Sequence, residues 1–246
     1  MLSDTSRPGP TVAAARAPGV LRAVCCLGAA LVAVVVLADA TSADLWIQDQ
    51  LYDSGEWLVD RHEPRLRLLL YTLPKYLLAI GAAGCLAVCL GSRKLGRLAP
   101  HVRGCSIVLL SLAVVPGAVG LMKSLTHVAT PAQITRYGGS RPYRGVVESI
   151  RAQEPGARGF PAGHASGGFA LISLYLALPF AWRRAGLGLG LGPGLLMGTY
   201  QTVNGQHFAS HMLVTVLVAA ILVLGIGWLY SEPFPRAASG RSASSR

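Results

Sequence analysis

The stretch "NGQHFASHMLVTVLVAAILVLGIGWLY", Asn204 to Tyr230, decides the fold. From Met212 to Tyr230 it carries no charged residue. A helix that crosses a bilayer core needs about 20 mostly apolar residues, because no water is present there to satisfy an open backbone. The run therefore reads as a membrane span, with two histidines, His207 and His211, at its mouth.

Working outward, five more runs meet the same requirement: about Gly19 to Ala38, Leu68 to Leu90, Cys105 to Met122, Ala165 to Ala181, and a glycine-rich run from Leu187 to Val203. The chain of 246 residues is 52% hydrophobic and 13% charged, with mean hydropathy +0.48, which excludes an ordinary soluble domain. The expected fold is all-α: a polytopic membrane protein whose six transmembrane helices form one bundle over residues 19–230. A cytoplasmic tail, 1–18, is expected to precede it and a disordered cytoplasmic tail, 231–246, to follow. A basic start, an apolar run and "ADA" at Ala38 to Ala40 also describe a cleavable signal peptide, the alternative for the first span.

Lysine and arginine set the orientation. Arg7, Arg16 and Arg22 precede the first span, and Arg93, Lys94, Arg97 and Arg103 crowd the link between the second and third. Arg183, Arg184, Arg236, Arg241 and Arg246 agree with both termini inside. This pattern accounts for most of the net charge of +11 and leaves nucleic acid without a basic soluble domain to bind. The outer link from Asp39 to Glu63 is acidic, and its apolar positions Leu45, Trp46, Leu51, Tyr52, Trp57 and Leu58 predict an amphipathic helix at the interface, capping the bundle. The five cysteines, Cys25, Cys26, Cys85, Cys89 and Cys105, all fall in expected spans and read as packing residues. Apart from Lys75 the spans are nearly free of charge, which argues against a transport pathway.

One link breaks the charge rule. Between the third and fourth spans, on the expected outer side, stand Lys123, Arg136, Arg141, Arg144, Arg151 and Arg158 against only Glu148 and Glu154. Such outside positives point to an anionic ligand or to lipid headgroups. The link runs into "GFPAGHASGG", Gly159 to Gly168, which sets His164 at the outer start of the fourth span. Three histidines thus come to one membrane face beside a basic link.

Phosphoryl transfer needs those parts: cations and backbone donors for the phosphate, a nucleophile, and an acid for the leaving oxygen. Histidine serves as nucleophile or as proton donor at neutral pH. Gly163 lets phosphate oxygens approach the backbone where a helix begins, Ser166 continues the donor-rich turn, and Lys123 adds a point charge. Two other chemistries compete. His207 and His211, four apart, have zinc-ligand spacing, yet no glutamate stands at Phe208 and no third ligand is more obvious than His164, so neither metal nor cofactor is expected. An intramembrane serine protease would use Ser166 with His207 or His211, but no convincing His-Asn oxyanion pair lies on the second span.

These residues resemble the type-2 phosphatidic acid phosphatase superfamily of membrane lipid phosphatases. Its pattern is a lysine followed seven residues later by Arg-Pro, then Pro-Ser-Gly-His, then Ser-Arg, five residues, His, three residues, Asp. Here Lys123 matches the lysine, with Thr130 at the arginine position and Pro131 at the proline. "PAGH", Pro161 to His164, matches with Ala162 for serine. Tyr200 and Gln201 stand for Ser-Arg, His207 matches the histidine, and His211 replaces the aspartate. The wording "RYGG", "GFPAGHASGGFAL" and "HF-x-SH" looks most like a bacterial inner-membrane branch with lipid A phosphatase and phosphotransferase relatives. The resemblance implies His207 as a nucleophile forming a phosphohistidine, His164 as general acid, and Lys123 as phosphate holder. By position His211 would orient His207 by accepting its hydrogen bond. With the motif arginines replaced by Thr130 and Gln201, Arg136 or Arg141 is expected to fill in, and without them the chain would be a weak or inactive relative. The implied activity is removal or transfer of phosphate on a lipid phosphate or diphosphate, at the non-cytoplasmic face of the bilayer.

Overall fold

A computed structural model describes residues 12–231. The tail arginines Arg7, Arg236, Arg241 and Arg246 lie outside the described residues, as does nearly all of the expected C-terminal tail. The described chain is helical, broken by one small hairpin. Its order is α1 (Val12–Ala40), α2 (Ala43–Asp49), β1 (Tyr52–Asp53), β2 (Glu56–Trp57), α3 (Pro64–Arg67), α4 (Leu73–Gly91), α5 (Ala99–Thr126), α6 (Val146–Ala152), α7 (Gly163–Ala170), α8 (Leu174–Ala177), α9 (Arg183–Val203) and α10 (Ala209–Leu229).

Four mainly helical stretches are long and apolar enough to cross a membrane: Pro18–Ala40, Pro64–Gly91, Gly96–Gln133 and Ala209–Leu229. The second joins α3 to α4 through a π-helical turn, Leu68–Thr72, in which the Leu73 amide bonds back to the Leu68 carbonyl. Pro74 has no amide to give to the preceding turn, and a widened turn accommodates that loss.

The expected fourth span is shorter than anticipated. From Gly163 the chain runs through α7, a 3-10 turn at Leu171–Ser173 and α8, then stops at Ala177 rather than Ala181. Leu178 is extended because Pro179 follows it. At about 1.5 Å per residue this rod is roughly 22 Å long, less than a hydrocarbon core of about 30 Å. The fifth, α9, is a full-length helix, but its glycines dilute its apolar character. Those glycines have a packing role. Gly186, Gly190 and Gly194 repeat every fourth residue, and a Cβ on Gly190 would lie 2.5 Å from the Leu171 backbone, one on Gly194 2.2 Å from the Phe169 ring. The stripe lets α9 lie directly on α7 and α8. Val115 of α5, Ala165 and Phe169 of α7, and Ala219 and Val223 of α10 form the core between them. Leu31, Val34 and Val35 of α1 pack against Val214 and Val218 of α10.

The acidic link departs from a single amphipathic helix. Only Ala43–Asp49 is helical. Ser54 and Gly55, with φ of 53° and 92°, form a two-residue turn that pairs Tyr52 with Trp57. Its carboxylates clamp the outer segments to one another. Asp39 accepts from the Val146 and Val147 amides at 2.7 and 3.0 Å, at the start of α6. Asp44 accepts from the Ser210 amide at 3.0 Å and from the Ser210 hydroxyl, at the start of α10. Burial pushes the Asp44 carboxyl above its ordinary range, against the pull of those hydrogen bonds.

Candidate active site

The C-terminal end of α5 delivers Lys123. A Cβ built on Gly163 would stand 3.2 Å from the Lys123 Nζ, so the ammonium lies against the first residue of α7. Past α5 the chain turns at His127, φ 51°, and is stitched to the segment before α7. The Gly159 amide donates to the Val128 carbonyl at 2.6 Å, and the Thr126 hydroxyl to the Phe160 carbonyl at 2.7 Å. Only glycine fits at 159, because a Cβ would meet the Val128 and Ala129 carbonyl oxygens at 2.9 Å.

The Gly159 carbonyl organises the histidines. It lies 2.7 Å from His207 Nδ1 and 3.0 Å from His211 Nδ1. A carbonyl only accepts, so both rings carry their proton on Nδ1. The His207 Nε2 is left as a lone pair, and it is buried with no hydrogen-bond partner. The His164 and His207 ring centroids are 5.7 Å apart, and those of His207 and His211 5.9 Å. His207 is 2% exposed, whereas His164 is open to solvent and meets the Tyr71 ring edge-on at 5.0 Å. Burial, reinforced by the Lys123 charge, holds the His207 imidazole well below its usual pKa, so the ring is neutral near pH 7.

Short connections fix both histidine segments. The Gln206 and His207 amides donate to the Gln201 carbonyl at 2.8 and 3.1 Å, closing a tight loop after α9. Gly205, φ 74°, lies so close beneath Trp57 of the hairpin that a Cβ would fall 2.3 Å from its ring. Thr215 Oγ1 joins the two motifs: it accepts from the Ala162 amide at 2.8 Å and donates to the His211 carbonyl at 2.8 Å. The first-turn amides of α7 have no carbonyl of their own helix to bond, and they begin beside Lys123.

Several expectations change here. His211 does not accept a hydrogen bond from His207; both donate to Gly159, which takes the orienting part. The Ser166 hydroxyl is buried and donates to the Gly163 carbonyl of its own helix at 2.6 Å. It is turned away from phosphate duty, and no histidine contacts it as a protease base would. Arg136 forks onto Asp49 at 2.8 and 2.7 Å. Arg141 is held by Glu154 at 3.1 Å and by the Pro155 carbonyl at 2.7 Å, and Arg144 by Glu148 and Glu154. These three arginines are engaged by carboxylates, Glu148 and Glu154 of the same link and Asp49 from α2. Thr130 caps a 3-10 turn.

Other residues were not legible in the motifs. A cavity of about 230 Å³ beside His164 is lined by Gln201 and Asn204 and by Arg61, Arg67 and Tyr71. Lys75 stands within electrostatic reach of His164, and Arg158 of Lys123. A second, apolar cleft of about 510 Å³ runs between α4, α5 and α9, lined by Leu69, Leu78, Leu112, Leu174 and Leu196. Leu78 comes within 3.3 Å of a Cβ built on Gly167, one turn below His164. Among the described residues, no three His, Cys, Asp or Glu side chains converge as metal ligands. The titratable groups around His207 are Lys123, His211 and His164.

The family model described as PAP2 superfamily matches residues 104–234, more than half of the chain. The match includes Lys123, the segment Pro161 to His164, His207 and His211, and stops short of the hairpin, α3 and α4. No curated protein and no solved structure matches the chain.

Proposed function

Since the chain belongs to the PAP2 superfamily, whose members are phosphatases, we propose that it is a membrane phosphatase or phosphotransferase acting on a lipid phosphate or diphosphate through a phosphohistidine at His207. The observation that carries the reading is the His207 Nε2: buried, unpartnered and freed as a lone pair by the Nδ1 bond to Gly159. The lone pair attacks phosphorus, a bond from Nε2 to phosphorus forms, and the bond to the leaving oxygen breaks. His164 protonates that oxygen, then removes a proton from the water or acceptor hydroxyl that releases the phosphoryl group. Lys123 and the first-turn amides of α7 hold the phosphoryl oxygens as their charge grows. The positive charge and donors come from the protein itself, so no metal is required.

The lipid assignment rests on the apolar cleft beside α7, which offers a tail the same side of the bundle on which His164 opens to its polar cavity. In this reading α7 to α8 and α9 are the fourth and fifth of six crossings. Both termini are cytoplasmic, and the site opens on the non-cytoplasmic face of a bacterial inner membrane, where a headgroup enters from the interface and the tail stays in the bilayer.

Phosphate release from a panel of lipid phosphates and diphosphates, by purified protein in detergent with chelator present, tests the reading. The expected result is release that survives chelation and Ser166→Ala and is abolished in His207→Ala. Release that persists in His207→Ala, or that chelator abolishes, overturns it.

A further inference from the structure

Gln201, where the family pattern has an arginine, lines the polar cavity beside His164. Two arginines line the same cavity. Arg67 ends α3, and Arg61 precedes it in the link from the hairpin. Neither is paired with a carboxylate among the described residues. Arg61 donates its Nε to the His62 ring at 3.0 Å, and the nearby carboxylates are engaged by backbone, Asp60 by the His62 amide and Glu63 by the Leu66 amide. The contrast with Arg136, Arg141 and Arg144, each neutralised by a carboxylate, is plain.

The lining around them is also incompletely satisfied. The Gln206 Nε2 is buried with no hydrogen-bond partner among the described residues, while the Asn204 side chain, on a residue 1% exposed, lies against the Tyr200 hydroxyl. Buried polar atoms are ordinarily paired with protein or water, so this lining keeps a hydrogen-bonding group free for water or a ligand. The element that brings the arginine here is unusual too. Arg67 precedes the π-helical turn Leu68–Thr72 and Tyr71 lies within it, where it touches the His164 ring. Wide turns of this sort recur where a helix re-aims side chains at a site.

We propose that Arg67, assisted by Arg61, is the guanidinium that holds the substrate's phosphate in this chain, replacing from the same cavity the arginine whose position Gln201 occupies. The inference rests on the phosphatase reading. It places a binding residue outside the family-matched segment, so the site is completed by α3 and not by the motifs alone. A guanidinium supplies a planar fork to two phosphate oxygens, which neither Lys123 nor Gln201 supplies.

The test uses full-length protein with Arg67→Gln, Arg65→Gln on the same helix as control, and the exchange variant Arg67→Gln/Gln201→Arg. Two readouts are taken: kcat/KM on the best lipid phosphate, and binding of inorganic phosphate by 31P NMR. Arg67→Gln is expected to lose about 100-fold in kcat/KM and to bind phosphate weakly, with Arg65→Gln unchanged and the exchange variant regaining most of the loss. Turnover that Arg67→Gln leaves intact, or an exchange variant as impaired as Arg67→Gln, overturns the inference. If no lipid is turned over, the phosphatase reading fails separately. Phosphate binding weakened by Arg67→Gln then still supports the subsite, and binding that is absent or unaffected overturns it.

Discussion

Thr215→Val removes the hydroxyl that ties the segment before His164 to the helix carrying His211, while keeping the side chain's shape. In the native site Oγ1 accepts from the Ala162 amide at 2.8 Å and donates to the His211 carbonyl at 2.8 Å. Valine fills the same space but leaves the Ala162 amide only its longer contact to the His211 carbonyl, 3.2 Å. The amide keeps a partner, so the stability cost sits near the low end for a buried hydrogen-bonding group, about 1–2 kcal/mol. The catalytic cost is larger. His164 is the second residue of α7, two residues after Ala162, and its ring must meet the oxygen that leaves phosphorus as His207 attacks it. A displacement of about 1 Å in such a pair is worth roughly 100-fold in rate. The assay is phosphate release together with thermal unfolding in detergent, with Thr215→Ser as the control that restores the hydroxyl. Expected are a small loss of stability, a rate lowered by about 10- to 100-fold, and a serine variant near the native rate. A valine variant that turns over at the native rate would refute the claim that this bridge sets the spacing of the histidines.

Asp44→Ala should destabilise the protein by about 1–3 kcal/mol, read by thermal unfolding, because it strips the cap from α10 and orphans the Ser210 amide and hydroxyl. Asp44→Asn should cost much less, since burial already disfavours the charged carboxylate. Gly205→Ala combines a left-handed backbone with a Cβ 2.3 Å from Trp57, so it should displace the His207 loop and abolish turnover, whereas the same change at exposed Gly188 should be silent in the phosphate assay. The depressed His207 pKa has a fixed sign in unfolding experiments across pH. The folded ring refuses a proton that the unfolded ring takes up below about pH 6.5, so its contribution is fully present above that value and is lost as pH falls toward the folded pKa. The Asp49 carboxyl, lowered by its Arg136 hydrogen bonds, acts in a more acidic window. Its contribution is present above the ordinary aspartate range and lost as pH drops through the lowered folded value, and Arg136→Gln should shrink that limb to what the Tyr137 hydroxyl bond sustains.

The sequence by itself determined the features that local chemistry dictates. Uncharged runs such as Met212 to Tyr230 can satisfy their backbone in lipid only as helices, and four such helices stand in the structure. The glycines of α9 hid a full-length helix from hydropathy, and Pro179 shortened its neighbour, both effects readable in the residues once packing is seen. The spacing of Lys123, His164 and His207 was likewise legible, because each sits at a helix end that the apolar runs locate. What the sequence left open was every contact between residues far apart in the chain. A carbonyl carries no signature, so nothing marked Gly159 as the group that sets the tautomer of two histidines about fifty residues away. Arg136 and Arg141 looked available because charge was counted along the chain, whereas a charge is free or neutralised according to what folds against it, here Asp49 and Glu154. Arg67 was invisible for the opposite reason: only the packing of α3 and its widened turn beside His164 brings it to the cavity that Gln201 lines, and that proximity exists in three dimensions alone.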